Sequence, residues 1–242
     1  MTINRPHKRN AIDVATAQAL AAAVRQSEQD STVRAVVLTG AGARCFCAGA
    51  DLADVAAGLG EQLMVNGDGL GGFVFAARSK PWIAAVRGMA MGGGLELALA
   101  CDMIVASDEA TFALPEVRRG LIAGAGGAYR APRTLPRAVA LEMLLTGAPL
   151  PAARAHALGM LNHLVPGAEV LACALALAAG IAANAPLAVS ATLAIARAAA
   201  EESEPELRAR TDAASRALAT SADAREGVAA FIEGRPALWT GT

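Results

Sequence analysis

The chain has 242 residues, of which 55% are hydrophobic, and its 21 lysines and arginines nearly balance 22 aspartates and glutamates. This length and apolar content are sufficient for one large buried core. The formal net charge of −1 gives none of the basic excess that indicates nucleic-acid binding, so we expect no nucleic-acid partner.

The first third of the chain predicts a helix, a strand and a long connection. The segment AIDVATAQALAAAVRQSEQD (11–30) has apolar residues near helical spacing, and RAVVLTG (34–40) is a compact β-branched run typical of a buried strand. We expect ARCFCAGADL (43–52) to be a loop. A helical region interrupted by glycines follows it and extends to about Asn66.

The alternation of strands and helices then repeats. PWIAAVRG (81–88) predicts a second buried strand, a helix begins at about Gly92, and MIVAS (103–107) predicts a third strand. Strand, loop and helix in this repeating order favour an α/β fold with buried, mostly parallel strands.

The second half of the chain is mainly helical by its pattern. A glycine-rich segment (120–130) precedes predicted helices in RAVALEMLLTG (137–147) and PAARAHALGM (151–160). LNHLV (161–165) predicts a short strand, and the chain from about Gly167 onward predicts only helices.

Residues 170–196 carry no charge and are long enough to span a bilayer. The break Asn184-Ala185-Pro186 and the abundance of alanine instead predict two buried helices, so we expect no membrane partner. The start MTINRPHKRNAID (1–13) has charges where a secretory signal has its apolar segment, which favours a cytoplasmic protein.

No metal site is predicted. Of the four cysteines only Cys45 and Cys47 are close in sequence, and C-x-C is not a usual zinc spacing. His7, His156 and His163 share no short metal-binding spacing. We therefore interpret the thiols as structural or incidental.

Several common catalytic motifs are absent, among them G-x-S-x-G, H-E-x-x-H and the P-loop. GDGLGG (67–72) fits G-x-G-x-x-G, but no convincing strand precedes it, and a dinucleotide-binding fold needs that strand.

The segment GMAMGGGLELALACD (88–102) places three adjacent glycines between a predicted strand and a predicted helix. Glycines at such a junction let backbone N–H groups approach an anion at the positive end of the helix. Glu96 lies three residues after Gly93, and helical side chains lean toward the N-terminus, so its carboxylate would reach the same space. A first-turn glutamate also simply complements the helix dipole, and the local sequence leaves both interpretations open.

A second carboxylate, Glu116, comes just after Pro115 and beyond the third predicted strand, where the chain would return to the same end of the sheet. Two carboxylates at one apolar cleft are suited to paired acid and base work. Alone, Glu116 is as well explained as a loop acid near Arg118 and Arg119, so only the joint placement indicates catalysis.

The chain resembles the crotonase superfamily, also called the enoyl-CoA hydratase/isomerase family, almost from end to end. The motifs that carry the resemblance occur in the family's order and are, in sequence, NRPHKRNAID (4–13), VVLTGAGARCFCAGADL (36–52), KPWIAAVRGMAMGGGLELALACD (80–102), FALPEVRRGL (112–121), GAGGAYRAPR (124–133) and LLTGAP (144–149).

The resemblance implies an α/β fold in which a spiral of ββα turns (1–166) holds CoA and the active site. A C-terminal helical segment (167–242) would mediate assembly into homotrimers or dimers of trimers. The implied substrate is an acyl-CoA thioester, with CoA as part of the substrate and no separate cofactor.

The resemblance also assigns site residues. Ala50 and Gly93 match the two oxyanion-hole positions, whose backbone N–H groups stabilise the thioester enolate. The positions that correspond to substrate and CoA contacts are Ala11, Ala48, Gly49, Asp51, Leu52 and Pro115.

Glu96 and Glu116 match the two glutamates with which family hydratases hold and activate water. Because typical isomerases of the family keep only the second acid, the pair favours an enoyl-CoA hydratase. Carnitinyl-CoA dehydration, enoyl isomerisation, thioester hydrolysis and a non-catalytic CoA-binding role are the alternatives, and the FALPE and RTLP segments also resemble carnitinyl-CoA dehydratases.

Four departures from the family pattern qualify these expectations. In the family a strand or hairpin usually precedes NRP, whereas only three residues precede it here, and we expect this to leave a sheet edge uncovered. Ala123 stands where many members have Pro, Tyr129 where Gln is frequent, and Gly234 where many have a CoA-binding Lys. The acyl end of the substrate is expected near residues 58–72, whose glycine-rich sequence predicts no particular shape.

Overall fold

The computed structural model describes all residues, Met1–Thr242, in nine strands and ten α-helices. The strands are β1 (Thr2–Ile3), β2 (Val36–Gly40), β3 (Cys45–Cys47), β4 (Trp82–Val86), β5 (Met89–Met91), β6 (Met103–Ser107), β7 (Thr111–Ala113), β8 (Leu150–Pro151) and β9 (His163–Val165). The helices are α1 (Val14–Gln29), α2 (Leu52–Ala56), α3 (Gly93–Ala100), α4 (Gly127–Thr134), α5 (Arg137–Thr146), α6 (Ala152–Ala157), α7 (Val170–Ala182), α8 (Pro186–Ala198), α9 (Glu204–Ala219) and α10 (Ala222–Glu233).

The strands form two sheets. The large sheet has the order β1-β2-β4-β6-β9 with every pair parallel, and the small sheet has the order β3-β5-β7-β8 with only β8 antiparallel. The pairs β2–β3, β4–β5 and β6–β7 each give one strand to each sheet before the chain turns into helix. This repeat of two strands and a helix confirms the predicted α/β spiral with mostly parallel strands.

The main core lies where the large sheet, the small sheet and helices α1 and α3 meet. Its largest buried side chains include Trp82, Phe46 and Phe112, and the Phe73 ring packs edge-on against Trp82 at 4.9 Å between centroids. Burial on both faces explains why β2 and β4 consist almost entirely of apolar and small residues.

One local expectation was wrong, and one helix was not predicted. The segment 43–52 is not wholly a loop, because Cys45–Cys47 is buried and pairs in parallel with β5. A three-residue strand is too short to show a period of two, so pattern reading missed it. The glycine-rich segment 120–130 leads into α4, which begins at Gly127 despite its internal Pro132.

The helical segment after residue 166 begins on the large sheet. Val170 and Ala174 of α7 pack on the outward-facing residues Ile83 and Val105. None of the helices has both the length and the apolar character to cross a membrane, and α7 with α8 meets those criteria only as a pair bent by 110°. The division into residues 1–166 and 167–242 stays a prediction.

Candidate active site

Three chain segments meet at one edge of the small sheet. The neighbouring strands β3, β5 and β7 are parallel, so the residues that follow them, Ala48–Asp51, Gly92–Gly93 and Leu114–Glu116, emerge at the same end. The carboxyl ends of parallel strands are where α/β proteins bind ligands. This topology explains why positions far apart in sequence lie together here.

The turn from β5 into α3 is built on glycine for steric reasons. Gly92 has φ +55° and ψ −128°, a conformation that side-chain-bearing residues avoid. A Cβ placed on Gly94 would lie 1.9 Å from the carbonyl oxygen of Cys47. Close approach of α3 to β3 therefore requires glycine at this position.

Two backbone N–H groups lie beside each other at the corner between β5 and α3. A Cβ placed on Gly49 would lie 2.7 Å from the Gly93 nitrogen, and a Cβ placed on Gly93 would lie 3.5 Å from the Ala50 nitrogen. The Ala50 N–H donates to no atom of the chain, and the Gly93 N–H, the first of α3, has no intrahelical acceptor. Paired donors at a helix N-terminus suit an oxygen that carries negative charge.

Glu96 lies one turn into α3 and is 3% exposed. Its Oε1 accepts the Gly127 N–H at 2.9 Å. Burial raises its pKa to about 7, the hydrogen bond from Gly127 opposes that shift, and the negative charge of Glu116 adds to it. Glu96 thus exchanges its proton near neutral pH, as an acid–base catalyst requires.

Glu116 opens a 3-10 helix (Glu116–Arg119) directly after Pro115. Its Oε1 lies 3.1 Å from where a Cβ of Gly92 would be, so the carboxylate faces the start of α3. Its Oε2 is buried without a hydrogen-bond partner in the chain, and burial raises its pKa. A buried acceptor of this kind is costly unless a bound group donates to it.

The residues that match CoA-contacting positions line the same edge. The Ala48 N–H donates to the Arg9 carbonyl, and the Gly49 carbonyl accepts the Ile12 N–H, which fixes the backbone of this strip. Leu52, at 55% exposed, begins α2 at the surface.

The remaining three assigned positions have structural partners or neighbours of their own. Asp51 caps α2 and accepts a hydrogen bond from Arg5 at 3.0 Å, Ala11 is buried with its carbonyl bonded to Arg5, and Pro115 precedes Glu116. The contacts of all six positions with CoA stay predictions.

Sequence reasoning missed two contributors to the corner. Gly127 supplies the hydrogen bond to Glu96, and Leu70 places its Cδ2 2.5 Å from where a Cβ of Gly93 would be. The signal for Gly127 was the GAGG sequence at the start of α4. Leu70 carried no signal, because its contact with α3 arises only in the fold.

Metal or thiol chemistry has little structural support. The structure places no group of three or more His, Cys, Asp and Glu side chains to hold a metal ion. Burial raises the pKa of Cys45 to about 11 and that of Cys47 to about 12, so both thiols stay protonated near neutral pH.

Comparison with known proteins extends over the whole chain. Residues 1–242 match the family model described as "Enoyl-CoA hydratase/isomerase". The chain is 41% identical over 244 residues to the carnitinyl-CoA dehydratase of Proteus mirabilis, covering 99% of this chain and 93% of that protein.

Solved structures give the same result. The enoyl-CoA hydratase from Mycobacterium tuberculosis superposes with a TM-score of 0.95 at 46% identity, and the carnitinyl-CoA hydratase from Mycobacterium avium with 0.77 at 44%. Each comparison covers 100% of this chain and 94% of the other. These matches confirm the resemblance inferred from the motifs, and the chain belongs to the enoyl-CoA hydratase/isomerase family, the crotonase superfamily.

Proposed function

We propose that this protein is an enoyl-CoA hydratase, which adds water across the 2,3 double bond of a trans-2-enoyl-CoA. The observation that carries the proposal is the meeting of two carboxylates, the buried Glu96 and the half-buried Glu116, with the adjacent N–H groups of Ala50 and Gly93. Acids with raised pKa values can move protons, and the N–H pair can stabilise an oxyanion. Together they match the needs of hydration.

In the proposed mechanism the two carboxylates hold one water molecule. The water oxygen adds to C3, one water proton passes to the carboxylate pair, and a proton from the pair reaches C2. The electrons of the double bond move onto the thioester oxygen in the intermediate enolate and return when C2 is protonated. Ala50 and Gly93 would donate to that oxygen, and loss of one such donor commonly costs about 3 kcal/mol.

The acid and base roles belong to the pair rather than to one residue, since they interchange when the reaction runs backwards. Burial and the negative charge of Glu116 raise the pKa of Glu96 to about 7, so both the acid and the carboxylate form of Glu96 are populated near neutral pH. The reacting groups are then a carboxylate, a carboxylic acid and a water molecule, so the chemistry calls for no cofactor beyond the CoA of the substrate.

The proposal includes binding of CoA along residues 48–52 and assembly into a homotrimer or a dimer of trimers. The assembly is supported by apolar side chains at the C-terminal end of α10, where Phe231 is 88% and Ile232 77% exposed. Contiguous exposed apolar residues of this kind mark protein interfaces.

A second candidate is the elimination of water from carnitinyl-CoA. It is favoured by the name of the Proteus mirabilis relative, a carnitinyl-CoA dehydratase at 41% identity. The same carboxylate pair would serve, because dehydration is hydration in reverse. The two candidates differ in the acyl group, which in carnitinyl-CoA carries a quaternary ammonium.

The test is a panel of CoA thioesters compared by kcat/KM. The panel contains trans-2-enoyl-CoAs of short and medium length together with crotonobetainyl-CoA, the product of water elimination from carnitinyl-CoA. Products are identified by mass spectrometry. If the protein is an enoyl-CoA hydratase, the uncharged trans-2-enoyl-CoAs should each gain the mass of one water molecule. Their kcat/KM should also be larger than that for crotonobetainyl-CoA. A larger value for crotonobetainyl-CoA would favour the second candidate, isomerisation without mass change would favour an isomerase, and release of free CoA would favour a thioesterase.

A further inference from the structure

The side chain of Arg130 bridges two segments of the chain near Glu96. Its Nη1 donates to the Ala125 carbonyl at 3.1 Å and its Nη2 to the Val74 carbonyl at 2.5 Å. A Cβ placed on Gly126 would lie 2.1 Å from Nη1, so the guanidinium fills the space beside Gly126. The turn at residues 125–127 is therefore tied to the segment that contains Val74.

Through this bridge a side chain restrains the turn at residues 125–127, which donates a hydrogen bond to Glu96. The Ala125 carbonyl accepts no backbone hydrogen bond, so Arg130 is its partner in the chain. Two residues later the Gly127 N–H donates to Oε1 of Glu96 at 2.9 Å. Because the clamped carbonyl and the donor are only two residues apart, movement of one displaces the other.

The geometry of the bridge depends on the planar fork of arginine. Two carbonyl groups from segments more than fifty positions apart accept from the two terminal nitrogens of one rigid guanidinium. Lysine carries the same charge on a single nitrogen and does not reproduce this fixed pair of directions. Substitution of Arg130 by lysine therefore keeps the positive charge and removes the two-point hydrogen bonding.

Charge acts on Glu96 in the same place. The charged groups that act on Glu96 are Glu116, which raises its pKa, and Arg130, which lowers it. The thiol of Cys47 on the adjacent strand β3 is protonated near neutral pH and adds no charge. Removal of Arg130 therefore takes away both a geometric restraint and the positive charge that favours ionised Glu96.

We propose that Arg130 is a positioning residue of the carboxylate pair: by clamping the Ala125–Gly127 turn it sets the orientation and the charge state of Glu96. The proposal rests on the proposed hydratase function and deepens it. Arg130 acts through Gly127 and does not take part in the proton transfers.

The test compares Arg130→Gln, Arg130→Lys and the control Arg133→Gln with the wild type. Arg133 lies one turn further along α4, is exposed, and also lies near the Tyr129 ring, but it pairs with Glu201 rather than with the turn. The measurements are kcat and KM for trans-2-butenoyl-CoA across pH and the titration of Glu96. That titration is followed by NMR of glutamate labelled with 13C at Cδ, with the signal assigned by its loss in Glu96→Gln.

Arg130→Gln is expected to lower kcat by about 10- to 100-fold, since a displacement of about 1 Å near the reacting groups can cost 100-fold. KM is expected to change little, because residues 48–52 are untouched. The Glu96 carboxyl is expected to titrate at a higher pH than in the wild type. Arg130→Lys is expected to lower kcat while the titration stays near the wild-type pH, and Arg133→Gln to change neither.

Wild-type kcat and an unmoved Glu96 titration in Arg130→Gln would overturn the proposal. The proposal would also be overturned if Arg130→Gln and Arg130→Lys showed the same decrease in kcat, increase in KM and decrease in thermal stability. That result would mark a merely structural role. Should Arg130→Gln not fold, unchanged kcat in Arg130→Lys would be sufficient to reject the clamp. If the wild type turns over no enoyl-CoA, the hydratase function fails, whereas the Glu96 titration still decides the claim about Arg130.

Discussion

The corner between β5 and α3 and the helical segment at residues 167–242 use glycine in opposite ways. At the corner, a Cβ on Gly94 would overlap the Cys47 carbonyl. In the helical segment, Gly180 of α7 has open space around its Cα. The corner is fixed by backbone contacts inside the chain, whereas the end of the helical segment exposes apolar side chains such as Phe231. A substitution should therefore disturb contacts within the chain at the corner, and exposed apolar surface at the end of the helical segment.

The largest expected effect is the loss of hydration activity when either carboxylate at the corner is replaced. Glu96→Gln and Glu116→Gln should each lower kcat for hydration by about 100- to 10,000-fold, because each removes a proton-transfer group. The double variant should lose little more than either single one, since residues that act as a unit are not additive. Steady-state assays of enoyl-thioester absorbance measure this.

The matched control for these variants is Glu109→Gln, on the exposed turn between β6 and β7. It makes the same chemical change away from the corner and should keep wild-type kcat. Equal losses in all three variants would show that charge in general, and not the pair, controls activity.

Next in size is the response to an added methyl group. Gly94→Ala forces a Cβ toward a backbone oxygen at 1.9 Å and should lower the free energy of unfolding by about 3 kcal/mol or more. Gly180→Ala makes the same change in a helix with open space and should raise it by about 0.5–1 kcal/mol. Urea denaturation of both variants measures the two signs, and a stabilised Gly94→Ala would contradict the packing of α3 on β3.

The pH dependence of stability tests the burial of Glu96. Its pKa is raised from the usual 4.5 to about 7, so between these pH values the folded state binds more protons than the unfolded state. Its contribution to stability is therefore present below about pH 4.5 and is lost as pH rises toward 7.

Relative to Glu96→Gln, the wild type should lose on the order of 2 kcal/mol of unfolding free energy over this window. Denaturation at a series of pH values measures the difference, and Glu109→Gln should follow the wild type. A wild-type curve parallel to that of Glu96→Gln would show that the Glu96 carboxyl ionises normally in the fold.

The smallest effect on the isolated chain is expected in the helical segment. Phe231→Ser should change the unfolding free energy of the monomer by no more than about 0.5 kcal/mol, because the side chain is already 88% exposed. Light scattering should nevertheless show a smaller assembly. Leu145→Ser, at an exposed apolar site on α5, is the control and should assemble as the wild type does. Unchanged assembly in Phe231→Ser would remove α10 from the proposed interface.

Much of the fold around the corner could be predicted from the sequence. The apolar runs MIVAS and PWIAAVRG predicted β6 and β4, and the glycine cluster predicted a helix from about Gly92, which begins at Gly93. The strand β3 was missed because three residues carry no readable period. Gly127 and Arg130 were missed as neighbours of Glu96, because their contacts are made between segments about thirty residues or more apart and leave no local pattern.

The central claim is that the carboxylate pair adds water to an enoyl-CoA thioester. The most direct measurement is mass spectrometry of the product formed from trans-2-butenoyl-CoA in water labelled with 18O, by the wild type and by Glu96→Gln and Glu116→Gln. The account predicts one 18O atom in the wild-type product, as a 3-hydroxyacyl-CoA, and almost none with either variant. A folded wild-type protein that binds the thioester but incorporates no 18O, or variants that incorporate it at the wild-type rate, would contradict the account.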